Sequence, residues 1–99
     1  MVVASLISHP PRFQAGRLLV TPGIIALMER GGFNPMPYLR RHLHGDWGDL
    51  SPPDLRANRA ALRDGDRLFS AYQVTPDLRV WIVTQSDRSA TTVLLPDEY

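Results

Sequence analysis

Three stretches of the chain gather side chains that can move protons or hold anions. The densest is Arg40-Arg41-His42-Leu43-His44-Gly45-Asp46-Trp47-Gly48-Asp49. Histidine changes charge near neutral pH, so His42 or His44 could serve as a general base or acid. A neighbouring arginine offers a planar fork of donors that matches phosphate or carboxylate. These are the parts needed to cleave RNA without a metal: a base for the 2′-hydroxyl, an acid for the leaving oxygen and a cation for the phosphorane. The plainer reading is structural, with His42 bonded to a carbonyl, Asp46 closing a turn and Trp47 filling the core. The two histidines with Asp46 and Asp49 could also suggest a metal, but their spacing matches no strong zinc pattern, and no metal or cofactor is assigned.

The second stretch is Thr84-Gln85-Ser86-Asp87-Arg88-Ser89-Ala90-Thr91-Thr92. Arg88 and Thr91 would complete an RNA-cleaving site with His42 and Arg41. Alternatively, Asp87 and Ser89 cap backbone groups of a turn while Arg88 pairs with an acid. The third is the stripe Arg56, Arg59, Arg63, which could track phosphates or form a solvated helix face. As a binding surface, the candidates are His44, Trp47, Asp87, Arg56, Arg59 and Arg63.

The elements that must position these groups follow from length and pattern. Ninety-nine residues suit one domain with one small core, and 43% hydrophobic residues are enough to build it. There is no cysteine, so disulfides and thiolate metal sites are excluded. Net charge is +1, which singles out no partner, although all 11 basic residues are arginine. A GC-rich genome is sufficient cause for that bias. No stretch approaches the roughly 20 apolar residues of a membrane span. The apolar start at residues 1–7 is too short for a signal peptide, so a cytoplasmic protein is expected.

Residues 1–15, with His9 and the Pro10-Pro11 pair, read as an extended, loosely held arm ahead of a single domain at 16–99. Residues 16–21 read as a strand. Thr21-Pro22 then starts a helix, with Thr21 as its cap and Ile24, Ile25, Leu27 and Met28 as its stripe, and Gly31-Gly32 stops it. Asn34-Pro35 starts a second helix that runs to about residue 44 and buries Met36, Leu39 and Leu43. Ser51-Pro52-Pro53-Asp54 starts a third, which ends at Gly65 with Leu55, Asn58 and Leu62 inward. Asn58 on that inner face needs a bonding partner in the loop at 45–50 or in the sheet. Residues 67–73, 79–85 and 90–95 read as strands, joined by turns at 74–78 and 86–89. Such short links force antiparallel pairing. The expectation is an α+β fold: an N-terminal strand, three short helices, then a three-stranded antiparallel meander with the helices on one sheet face.

Several of these pieces form a pattern: Thr21-Pro22-Gly23, Arg41-His42, residues 45–50 (GDWGDL), Asp54 with Asn58 and Leu62, residues 67–72 (RLFSAY), residues 81–84 (WIVT), and residues 87–96 (DRSATTVLLP) closing on Glu98-Tyr99. The chain resembles a family of small uncharacterised bacterial proteins encoded near plasmid, phage and integrative-element genes. The resemblance spans roughly residues 16–99 and departs at Gln85-Ser86, where Glu-Ala is common, and in a longer N-terminal arm. It implies an accessory or binding protein of a mobile element, acting through a protein or nucleic-acid partner. The glycine-rich turn of a methyltransferase fold is missing. The layout of helices followed by a meander is also similar to barnase-like toxin ribonucleases. That likeness implies the alternative, a metal-independent ribonuclease using His42, Arg41, Arg88 and Thr91. Those enzymes often use a glutamate or strand histidine, whereas this chain has only Glu29 and Glu98, and no histidine after His44.

Overall fold

A computed structural model describes residues 10–99; the expectations for residues 1–9, His9 included, lie outside the described residues. The fold is α+β. In chain order it comprises β1 (Arg17–Val20), α1 (Pro22–Gly31), α2 (Met36–Leu43), α3 (Pro52–Asp64), β2 (Leu68–Thr75), β3 (Leu78–Thr84) and β4 (Ala90–Leu94), closed by a 3-10 turn at Pro96–Glu98.

The sheet order is β1-β4-β3-β2. The antiparallel meander of β2, β3 and β4 is extended by a fourth strand, because β1 lies parallel to β4 with Leu18 opposite Thr91 and Val20 opposite Val93. All three helices intervene between β1 and the meander, which supplies the long crossover a parallel pair requires. β2 runs further than its sequence suggests, and β3 is shifted one residue towards the turn. Val74 and Thr75 stay in the strand through a register shift after Gln73, and the turn shrinks to Pro76-Asp77.

Helix starts differ in how they are capped. Ser51 behaves as expected: its hydroxyl accepts from the Asp54 N–H and donates to the Asp54 carboxylate. Thr21 does not cap α1. Its hydroxyl donates to Glu98 Oε1 at 2.6 Å, and Glu98 Oε2 accepts the Gly23 N–H at 2.9 Å. A carboxylate from the far end of the chain thus takes the capping place, where the positive end of the helix dipole favours it. Gly23 makes room for it, since a Cβ there would lie 2.8 Å from Glu98 Oε1.

Alternation assigns the two sheet faces. Leu68, Ser70 and Tyr72 of β2, Val80, Ile82 and Thr84 of β3, and Thr91 and Val93 of β4 face the helices. One core cluster joins Ile24, Leu39, Tyr72, Val80, Ile82 and Val93; a second joins Trp47, Ala61 and Leu68 with Phe13 and Leu55 against them. The inner faces of the helices are narrower than expected. Met36, Ile25 and Met28 are exposed, while α2 buries Leu39 and His42 and α3 buries Asn58 and Ala61. The position one turn beyond Leu39 on the inner face belongs to a histidine, which apolar periodicity passes over.

The segment at 10–16 is held rather than loose. The Arg12 N–H bonds the Leu43 carbonyl, Phe13 stacks near-parallel to Trp47, and the Ala15 carbonyl accepts from Thr91. The 45–50 loop completes the edge of β2. Gly48 forms a parallel bridge with Ala71, the Asp49 N–H bonds the Ala71 carbonyl, and the Ala71 N–H bonds the Trp47 carbonyl. Only glycine fits at 48: φ is +73°, and a Cβ would collide with the Ala71 carbonyl oxygen.

Candidate functional site

His42 sits at the centre of the helix side of the sheet, with no exposed surface. Its Nδ1 lies 2.5 Å from Ser70 Oγ and its Nε2 lies 2.9 Å from Thr84 Oγ1. Thr84 and Thr91 are 2.7 Å apart, and Thr91 donates to the Ala15 carbonyl at 2.8 Å. Each hydroxyl has one proton, so the order of donation is fixed from the carbonyl backwards. Thr91 donates to Ala15, Thr84 donates to Thr91, and Thr84 must accept from His42. That places the imidazole proton on Nε2 and leaves Nδ1 to accept from Ser70. Burial pushes the His42 pKa down to about 3, so the ring is neutral at physiological pH. Phe13 and Trp47 close over it, each edge-to-face at 5.3 Å and 5.4 Å. Every polar atom of this Ser-His-Thr-Thr chain is satisfied internally, as a buried network must be to be stable.

The other proposed catalytic groups are also engaged. Arg41 forms a two-pronged pair with Asp46 at 2.7 Å and 3.2 Å, and its guanidinium lies 4.6 Å from the Tyr72 ring centre. The pair raises the Arg41 pKa and lowers that of Asp46 through their mutual hydrogen bond. Tyr72 donates to the Asp46 carbonyl at 2.6 Å, and burial pushes its phenol up to about 12. Arg88, at φ +61°, donates to four carbonyls: Asp66 at 2.6 Å, Gln85 and Ala61 at 3.1 Å, and Ser86 at 3.3 Å. It therefore ties the last turn of α3 to the β3–β4 hairpin. The middle helix and the hairpin do meet on one side of the molecule. Phe13 lies between them, in ring contact with His42 and 5.7 Å from the Arg88 guanidinium.

The binding candidates divide. Trp47 is core. His44 Nδ1 bonds the Arg40 carbonyl at 2.7 Å. Asp87 accepts the Ser89 N–H, and bonding from Ser89 lowers its pKa. Arg56, Arg59 and Arg63 stand exposed on α3, with Arg63 paired to the adjacent Asp64. Asn58 grips the sheet, donating to the Phe69 carbonyl at 2.6 Å and accepting the Phe69 N–H at 3.1 Å. Sequence reasoning missed Ser70 and Thr84 as partners of His42. The available signal was a hydroxyl at an inward position of each strand, between Leu68 and Tyr72 and after Ile82.

The opposite face of the sheet has different chemistry. Alternation and register place Leu19, Thr92, Val83 and Phe69 in one row and Leu94, Trp81 and Ala71 in the next. No helix packs on this face among the described residues. Phe69 meets Trp81 edge-to-face at 5.0 Å, and Trp81 meets Tyr99 at 5.7 Å. Phe69 and Trp81 are half-buried, Tyr99 is 64% exposed and Leu19 is 37% exposed. Arg67 lies over the Tyr99 ring, 5.3 Å from its centre. Arg17 and Arg79 stand exposed at strand positions of the same face, where the alternation holds no carboxylate. Trp81 Nε1 is the one buried side-chain donor or acceptor without a partner among the described residues. This aromatic row edged by arginines is the candidate site.

A shallow groove of about 490 Å³ runs along residues 11–16 beside Leu43; it holds no base, and Phe13 separates it from His42. Among the described residues, no three His, Asp or Glu side chains are grouped to hold a metal ion, and no helix is long and apolar enough to cross a membrane. No protein-family model, curated protein or solved structure matches the chain.

Proposed function

We propose that this chain is a non-catalytic binding module, a small cytosolic accessory protein of a mobile genetic element that engages its partner through the helix-free face of its sheet. The observation that carries the reading is the division of polar chemistry. The imidazole of His42, the hydroxyl of Thr91 and the guanidinium of Arg88 are each committed to partners within the fold. Phe69, Trp81 and Tyr99 lie on the other face, beside Ala71, Val83 and Leu94, which are buried there. Aromatics beside arginine are the residue types that anchor interfaces. The mobile-element setting rests on the motif resemblance at residues 16–99.

The ribonuclease alternative has one observation in its favour, the convergence of His42 and Arg88 on Phe13. It requires the His42 ring to reach a substrate, for which Phe13 and Trp47 must first move away. Two experiments test the proposal together. Purified protein incubated with total RNA is expected to leave it intact. A photoreactive residue installed at Arg79 or Tyr99 in cells is expected to form adducts that the same probe at Glu29 on α1 does not. RNA hydrolysis by the wild type, or adducts that ignore the position of the probe, would overturn the reading.

A further inference from the structure

The nature of the partner can be argued from the same face, and rests on the binding reading above. We infer that the face binds single-stranded nucleic acid, with bases stacking on Phe69, Trp81 and Tyr99 and phosphates meeting Arg17, Arg67 and Arg79. Three observations converge on that class. Each edge-to-face contact in the row uses the face of one ring and the edge of the other, so the rings are not stacked on each other. Rings of this kind are platforms for bases, and base stacking tolerates any sequence because every base has a π-face. Second, Arg17 and Arg79 share the face of the row and Arg67 lies over Tyr99, while the strand positions of that face hold no carboxylate, which complements a polyanion. The Arg67 guanidinium carbon lies 5.3 Å from the Tyr99 ring centre, and a guanidinium also packs on the faces of bases. Third, the buried Trp81 N–H has no partner among the described residues, so the row holds a donor left over for a ligand.

The same features argue against the alternatives. In a two-fold pairing of copies through this face, arginine clusters would confront one another, and juxtaposed like charges oppose association. In a duplex the faces of the bases are already stacked, so the row selects unpaired strands. The stripe of Arg56, Arg59 and Arg63 has charge but no aromatic among its positions, and it serves as the internal control.

The test is a titration of the full chain with a fluorescent uridine or thymidine oligonucleotide of about 20 nucleotides, starting near 50 mM salt and repeated at higher salt. Binding that weakens steeply with salt is expected. Arg79→Glu and Tyr99→Ala should each weaken it by roughly tenfold, and Arg59→Glu by less than about twofold. Circular dichroism of each variant checks that it is folded. No binding by the wild type, binding that fails with Arg59→Glu but not with Arg79→Glu, or a Tyr99-dependent dimer in sedimentation would each overturn nucleic acid as the partner. Should cross-links still map to residues 79 and 99 in that event, the face remains a binding surface for another class. Should they vanish as well, the broader reading fails with it.

Discussion

The two faces of one sheet solve different problems with similar raw material. On the helix side, polar residues sit among Ile24, Tyr72, Ile82 and Val93, and each is bonded into a closed chain. On the outer side, Arg67 lies over Tyr99, Arg79 donates to Gln73, and the Trp81 N–H is left without a partner among the described residues. A polar group deep in a core is costly unless satisfied, so its presence there reports on folding. A cation beside a partly exposed ring carries no such constraint. The residues that look most catalytic in the sequence are bonded into the architecture. Those that look like ordinary strand formers, Phe69 and Trp81, lie on the face proposed to bind.

The sharpest way to break this contrast is to remove the imidazole. His42→Ala deletes a buried ring and strands the hydroxyls of Ser70 and Thr84, so a loss of about 4 kcal/mol is expected in urea unfolding. A loss below about 1 kcal/mol would mean that the network is not structural.

Acid should reach the same residue more gently. In the folded protein His42 resists protonation until about pH 3, whereas in the unfolded chain it takes up its proton near pH 6.5. Between those values the unfolded state binds more protons. The contribution is therefore complete above pH 6.5 and declines as pH falls, by up to about 1.4 kcal/mol per unit. Carboxylates held low in the fold, such as Asp46 and Glu98, add their own losses only below about pH 4.5. Unfolding curves between pH 6.5 and 4.5 should thus slope in the wild type and flatten in His42→Asn.

A smaller effect belongs to Asn58→Ala, which unpairs both backbone groups of Phe69. About 2 kcal/mol is expected, with faster hydrogen exchange at the Phe69 amide as the local signature. The smallest is Tyr99→Ala on the outer side, which should cost less than about 1 kcal/mol of stability. Equal losses for Tyr99→Ala and His42→Ala would erase the distinction between the faces.

Much of the scaffold was legible because its signals are local. Ser51 with Asp54 starts α3, glycines at 32 and 65 end helices in the left-handed conformation, and alternation in β2 separates Leu68, Ser70 and Tyr72 from Phe69 and Ala71. Asn58 was legible as an inward amide in need of a partner, which proved to be the sheet. What escaped was non-local. His42 meets its two hydroxyls 28 and 42 positions away, and no periodicity links them. Glu98 replaces Thr21 as the cap of α1 across 75 positions. The aromatic row exists only once register is known, because Trp81 and Phe69 become neighbours through β2–β3 pairing and Tyr99 through the final turn.

The parallel pairing of β1 with β4 has a consequence for the order of assembly. β1 leaves the ribosome well before its partner at Ala90–Leu94 is made. Thr21 likewise waits 77 positions for Glu98. Such a high contact order slows the closing step, because a long loop must be gathered before its ends reward it. The hairpins of β2, β3 and β4 can form early from near neighbours. The first strand then joins as the seal, and a nascent chain cut short before residue 90 would keep its meander's first hairpin while leaving β1 with no edge to dock on.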